Sequence, residues 1–533
     1  MFYTKMNKKT IKALVLVLIA ILPITTSAQD YYDAAVQPEG NGMAENPYKV
    51  ETLENLLWIA EQVNSGLDFA GFNFEQIKDI DFAATRNWDE GRGWASIGGV
   101  QIMNGQVVKL SFKGNYDGKN HKISNLYINR MTDFQGLFGY VYSGTVRNLI
   151  IENAQITGIE NMGVLAGYAF EENIENCHVT KSVIKGSGIY LGGLLGYQSD
   201  GTTVNCSVEA DISGYDYIGG ITSWCIDGKI IGCWTTGSVK SIENTTDGRL
   251  GRVAGGIAGF LSNCTMSECM TTARVEGGNQ IGGLAGTAVK STIEKSFAAG
   301  QLIKGITYVG GFVGKNEETS ISDCYARSEV EGDVSVGGFI GSLDYTGSNI
   351  VRCYSTGKVT AHDNVTAAGF VGNKSYTATI KDCYYDKEAS VQEKAVGGFS
   401  HNDCDCKPMT TEQMKSQTTF EGWDFNKVWS IDKSKNDGYP ILKSSPVTAS
   451  IGTTIINEPD VRVSITGGQL NVASPRIPLA RVETFALDGT KLFEIKCNNA
   501  NAVTFSLPDD NHMVFVIRTI LVNGNTATVK AMR

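Results

Sequence analysis

A six-residue pattern, apolar-Gly-Gly-apolar-x-Gly, returns along most of this chain and constrains its fold more than any other feature. It reads Ile281-Gly282-Gly283-Leu284-Ala285-Gly286, then Val309-Gly310-Gly311-Phe312-Val313-Gly314, then Val336-Gly337-Gly338-Phe339-Ile340-Gly341. Looser copies end at Gly139, Gly167, Gly196, Ser223, Gly259, Gly372 and His401. Successive ends lie 28, 29, 27, 36, 27, 28, 27, 31 and 29 residues apart. The ten copies hold 25 of the 61 glycines, so the glycine excess sits at fixed points instead of being spread as in a flexible chain.

A second series keeps step with the first. Ten residues after the motif's end stand Cys177, Cys206, Cys233, Cys269, Ser296 and Cys324, and two longer turns place Cys353 and Cys383 at twelve and eleven. Six residues further come Val183, Ile212, Val239, Val275, Leu302, Val330, Val359 and Ala389. Around Cys206 the alternation Val204, Cys206, Val208, Ala210 has period two, hence a strand with the cysteine pointing inward. A repeat of short strands and glycine corners cannot bury its apolar face alone, but stacked copies bury a continuous core. The pattern therefore predicts an all-β fold, a right-handed parallel β-helix (β-solenoid) of about ten coils of 27–30 residues with small helical caps. Leucine-rich repeats share the period, but their L-x-x-L-x-L pattern is missing.

In that frame Cys177, Cys206, Cys233, Cys269, Cys324, Cys353 and Cys383 form a structural ladder of small inward packing residues. Vertical disulfides are the weaker reading, because Ser296 interrupts the column. Just before it stand Glu268, Lys295, Asp323, Arg352 and Asp382, alternating in sign, as a register device between coils. Just after it come Trp234, Met270, Phe297, Tyr325, Tyr354 and Tyr384, outward by parity. A row of exposed aromatics is uncommon without a use. Trp234, Phe297, Tyr325, Tyr354 and Tyr384 are thus the candidate ligand-binding residues, against the alternative of rings that stack to stabilise the sheet.

The ends differ from the repeats. Residues 1–28 have a basic stretch, a short apolar run Ala13 to Leu22 and small residues at Thr26-Ser27-Ala28, as in a secretory signal peptide. Residues 29–130 predict an N-terminal cap, with a helix over Leu53, Leu56, Leu57, Ala60 and Val63 that stops at Gly66, and lead-in strands of the solenoid. Residues 131–443 are the solenoid with its C-terminal cap, where Thr410 and Gln413 suit a capping box. Residues 444–460 are a linker, and 461–533 predict a small antiparallel β-sandwich with hairpins at Asp488-Gly489 and Asn523-Gly524. The formal net charge of −10 argues against a nucleic-acid partner, and no later run of 18 apolar residues suggests a membrane span.

The G-G-[LIF]-x-G core with Asn-Cys or Asp-Cys-Tyr resembles the GLUG repeat family. The lead-in "NPYKVETLENLLWIAEQVNSG" and the closing "MTTEQMKSQTTFEGWDFNKVWSI" are similar to segments that flank those repeats. The resemblance implies a β-solenoid in exported bacterial proteins, secreted or on the cell surface. Some relatives are IgA-specific metallopeptidases, in which the repeats accompany a separate protease domain. The five histidines here, His121, His178, His362, His401 and His512, form no H-E-x-x-H pair. The tail, with "ETFALDGTKLFEI" and "VNGNTATVKAMR", is similar to type IX secretion sorting domains. It departs from them at Asn511-His512-Met513 and lacks the usual Asn-Pro.

Other chemistry is sparse. The Gly-Gly motifs lack the strand-to-helix context of a phosphate loop. His401-Asn402-Asp403-Cys404-Asp405-Cys406 matches no common zinc spacing and reads as a loop. The ladder acids alternate with Lys295 and Arg352, so no paired carboxylates emerge for glycoside hydrolysis. The sequence therefore predicts no catalytic residue, no metal and no cofactor. The expected function is a secreted or cell-surface, non-catalytic adhesion or ligand-binding module for a glycan or host surface protein. The alternative is a polysaccharide-active β-helix enzyme, a lyase or glycoside hydrolase.

Overall fold

The computed structural model describes residues 34–103, 106–243, 248–362, 366–375, 378–398 and 404–443. In the C-terminal part it describes 462–466, 469–474, 478–486, 491–506, 514–522 and 526–532. The expected leader (1–28), the linker (444–460), His401 to Asp403, Asn511 to Met513 and the turns at Asp488-Gly489 and Asn523-Gly524 lie outside the described residues.

The repeats wind into a parallel β-solenoid of about 12 turns. Sheets of 12, 18, 9 and 7 strands run along its sides. In one coil, Thr292–Glu294 lies in the 12-stranded sheet, and Phe297–Ala298 and Leu302–Lys304 lie in the 18-stranded one. Thr307–Gly310 and Val313–Glu317 then supply the 7- and 9-stranded sheets, and Ser320–Ser322 starts the next coil. The ten expected coils are exceeded because the lead-in adds rungs of its own. Tyr48–Val50, Asn73–Gln76 and Asn115–Asp117 are the first three strands of the 12-stranded sheet.

Inward positions fall in strict columns. Ile174, Thr203, Ile230, Met266, Ile293, Ile321, Ile350 and Ile380 pair in succession. Phe312, Phe339 and Phe370 stack inside at 4.7 and 4.8 Å, one coil rise apart. The seven column cysteines lie inside the stack, all of them buried and free. Each meets a carbonyl, as where Cys206 Sγ lies 3.2 Å from Val204 O and Cys324 Sγ 3.1 Å from Ser322 O. The apolar column six residues on needs correction at Val183, Leu302 and Ala389. A bulge after Val179 shifts the register in its own coil, so Ile184 points inward there; Ile303 takes the inward place instead of Leu302, paired with Val275 and Val330, and Ala389 lies in the helix Lys387–Ser390.

The charged series before the cysteines is also placed differently. Glu268, Lys295, Asp323, Arg352 and Asp382 are corner residues, with φ between 45° and 55°, and the same corner holds Asn148, Asn176 and Asn205. Strand alternation therefore starts at the cysteine and not before it. Asparagine tolerates this left-handed backbone best, and its amides link coils: Asn176 donates to Asn148 and Asn148 to Asp117, both at 2.9 Å. One expected charge pair forms, as Arg352 donates two hydrogen bonds to Asp323 at 2.8 and 2.6 Å.

The motif glycines serve close approach rather than turning. A β-carbon on Gly283 would lie 2.1 Å from the carbonyl oxygen of Gly311 in the next coil, and one on Gly311 2.1 Å from that of Gly338. Any side chain there would push the coils apart.

The N-terminal helix forms as expected over Leu53–Asn64, with Thr52 and Asn55 in a capping box. Leu56, Leu57, Ala60 and Val63 join the solenoid's own core, so the helix closes that end. The C-terminal helix Thr411–Met414 has the expected Thr410–Gln413 capping box. Its Met414, however, belongs to a separate cluster on the flank of the stack. In the tail, Arg462–Thr466, Gln469–Ala473 and Ala502–Ser506 make one antiparallel sheet. Leu479–Ala486, Lys491–Ala500, Val514–Leu521 and Thr526–Met532 make another. Leu470 and Val472 of the first pack with Val482, Ile517 and Leu521 of the second around a small core.

Candidate functional site

The aromatic stripe predicted to face solvent is covered. Trp234, Met270, Phe297, Tyr325, Tyr354 and Tyr384 do pair on successive coils and do point away from the interior. Phe297, Tyr325 and Tyr354 stack nearly parallel at 4.6 and 5.0 Å. Residues 409–442 then run back over them and bury Tyr325, Tyr354 and Tyr384 to 3, 0 and 1% exposure, leaving Trp234 half-buried. Phe420, Trp423, Trp429 and Tyr439 supply the apolar contact. Hydrogen bonds fix the register of this strap: Tyr354 to Pro440 O at 2.6 Å, Trp429 to Asp323 at 3.1 Å and Trp423 to Asp382 O at 3.0 Å. Desolvation pushes the Tyr354 phenol well above its ordinary range. The stripe is therefore a docking face for the chain's own C-terminal segment. The expectation of an exposed row at Phe297, Tyr325, Tyr354 and Tyr384 is corrected.

A different aromatic row does reach solvent. Tyr140, Tyr168, Tyr197, Trp224 and Phe260 occupy one register position on five successive strands of the 9-stranded sheet. Tyr168 and Tyr197 stack at 4.7 Å, and Trp224 and Phe260 at 4.2 Å. Phe134, Tyr190 and Tyr217 rise beside them from the preceding corner, with Tyr217 4.6 Å from Trp224. All but the buried Tyr140 are partly exposed. Beyond Phe260 the row turns polar, as Thr287, Lys315 and Ser342. The band has a signal in sequence: each of its five strand residues immediately follows a motif end, at Gly139, Gly167, Gly196, Ser223 and Gly259. The 36-residue coil, the longest, adds its extra residues between Trp234–Ser241 and Ala254–Gly255, at the corner where Tyr190 and Tyr217 stand in preceding coils.

A polar cleft of about 400 Å³ lies near the other flank, on the outer face of the first rungs. Asn73, Asn115, Thr145 and Asn173 line it, one per coil, beside Glu75, Asp117 and Arg147. Glu75 and Asp117 sit side by side on paired strands. Lys49 and Lys119 hold the Glu75 carboxyl below its usual range. Hydrogen bonds from Asn148 and Lys119, with Lys119 and Arg147 close by, outweigh burial and do the same for Asp117. Two carboxylates kept ionised give no proton donor. Among the described residues no three His, Cys, Asp or Glu side chains are grouped to hold a metal ion. Cys404 and Cys406, from the run that starts at His401, lie at the last rung, where Cys406 pairs with Cys383.

Fold and surface together define a β-solenoid built from a short glycine-centred repeat, with one aromatic face open to solvent. Residues 305–331, one full coil, match the family model of the GLUG motif. The chain is 29% identical over 451 residues to a protein of Evansella cellulosilytica named as a Gly-rich membrane protein, covering 76% of this chain and 46% of that one. It is 34% identical over 161 residues to halomucin of Haloquadratum walsbyi, covering 30% of this chain and 2% of halomucin. The chain thus spans less than half the length of either relative. Among the described residues no helix is long and apolar enough to cross a membrane.

Proposed function

We propose that this protein is a secreted or surface-displayed, non-catalytic binding module that contacts a glycan or a surface protein through the aromatic band of the 9-stranded sheet. One observation carries the reading: Tyr168, Tyr197, Tyr217, Trp224 and Phe260 form a contiguous, partly exposed aromatic patch on a rigid stack. Aromatic side chains on a rigid scaffold give large contact area at low entropic cost. The names of the two relatives, halomucin and a Gly-rich membrane protein, agree with a place at the cell surface. A glycan array and a surface-protein overlay test the reading, each scored for binding and cleavage. The double variant Tyr197→Ser/Tyr217→Ser should lower binding about tenfold or more, as loss of a hot spot does, without lowering Tm. Undiminished binding by that variant overturns it.

A second reading, polysaccharide cleavage, is favoured only by the neighbouring Glu75 and Asp117 in the polar cleft. It is the weaker one. Glycoside hydrolysis needs one carboxyl kept protonated by its surroundings, and here both are ionised by adjacent cations. Cleavage products that disappear with Glu75→Gln would reverse the order. We further propose that residues 461–533 direct export through the type IX route, as their resemblance to its sorting domains implies.

A further inference from the structure

Two cysteines outside the column stand apart from the other thiols. Cys225 lies in the strand Thr222–Ile226 of the 9-stranded sheet, pointing inward, and is paired with Leu261 of the next coil. Cys264 follows the left-handed corner residue Asn263 on that next coil and also points into the interior. Its rung neighbour on the coil before is Gly228, because Lys229 pairs with Thr265. Gly228 leaves a gap that the Cys225 sulfur fills: a β-carbon there would lie 2.8 Å from Cys225 Sγ. Into the same gap the Cys264 sulfur reaches diagonally, and the two Sγ atoms come within 3.1 Å. That is about 1 Å beyond a bonded S–S distance of roughly 2.05 Å. Like the column thiols, Cys264 Sγ also meets backbone carbonyls, 3.1 Å from Cys225 O and 3.2 Å from Ser262 O; what it adds is the 3.1 Å contact with the Cys225 sulfur across a coil boundary.

We propose that Cys225 and Cys264 form a disulfide in the mature protein, bolting two adjacent coils directly beneath the aromatic band. Trp224 of that band is the immediate chain neighbour of Cys225. The reaction is thiol–disulfide exchange: the two thiols lose two protons and two electrons to a disulfide-bearing oxidant of the export compartment, which leaves as a dithiol. Both sulfurs are buried in the finished fold. The bond must therefore form as the coils close, while the thiols are still accessible.

The proposal rests on export of the chain in cells, and the test separates the two ideas. The chain from Gln29 onward is produced behind a generic export leader in an oxidising bacterial compartment. It is then denatured under iodoacetamide and mapped by mass spectrometry. The expected result is one crosslinked pair of peptides carrying Cys225 and Cys264, two hydrogens lighter than the sum and lost on reduction, with the column cysteines alkylated. In Cys225→Ser, Cys264 should become alkylated and no new pair should appear. Alkylation of both Cys225 and Cys264 in the unreduced protein, or a bond from either to another cysteine, overturns the proposal. Fractionation of the native cells reports separately on export: a protein found only inside the reducing cytoplasm would refute export and leave the pairing result standing.

Discussion

Glu172 is the least expected side chain in the solenoid. It is 2% exposed, points inward, and neither carboxyl oxygen has a hydrogen-bond partner. Room for it comes from Gly201 in the next coil, where a β-carbon would lie 2.0 Å from its oxygen. Burial raises its carboxyl from 4.5 to about 8, so the folded chain keeps a proton that the unfolded chain releases. Because the folded state binds more protons between those values, this group's contribution to stability is full below about 4.5 and falls as pH rises toward 8. The slope from this group alone is about 1.4 kcal/mol per pH unit. Urea unfolding of wild type and Glu172→Gln between pH 5 and 8 should show that slope in the former and its loss in the latter. Parallel pH profiles for the two proteins would show that Glu172 does not titrate in this range.

At the scale of elements, the strap of residues 409–442 changes what the flank of the solenoid is. Its Trp429 is fully buried and donates to Asp323, which also holds Arg352, so one indole ties the strap to two coils. Trp429→Ala should cost about 3–5 kcal/mol and expose Tyr325 and Tyr354 together. Hydrogen exchange should then rise on coils 297–355 while the coils before residue 234 keep their protection. A uniform rise along the whole stack would mean that the strap acts on global stability rather than locally.

This element also carries contacts that local sequence pattern does not encode. The outward parity of Tyr325 and Tyr354 followed from strand alternation next to the cysteines. Their cover comes from residues 66 to 104 positions downstream, and no local period encodes such a contact. The band at Tyr168, Tyr197 and Trp224 is present in the repeat register, one residue past each motif end, while the alternation next to the cysteines marks only the covered stripe. The corners show a further limit. Asn148, Asn176 and Asn205 hint at left-handed backbone, yet Glu268, Lys295 and Arg352 take the same φ because the coil stacked on either side imposes it.

At the scale of the molecule, two hydrophobic cores share no described residue. The solenoid core runs from Tyr48 to Cys406, and the tail core is built from Leu470, Val472, Leu479, Val482, Cys497, Ile517 and Leu521. In a stack each coil depends mainly on its neighbours, so stability is set locally and the last coils have the strap as their partner. A chain ended after Lys443 should therefore keep the solenoid's thermal transition within about 2 °C, because none of the sandwich's described residues joins the solenoid core, while a second, smaller transition present in the full chain disappears. The same truncation tests the export reading of the tail. If residues 461–533 carry the sorting signal, the shortened protein should accumulate folded on the periplasmic side and vanish from the surface fraction. A truncated chain that still reaches the surface would leave the sandwich as a structural appendage. A truncated chain that loses its main transition would show instead that the tail braces the solenoid.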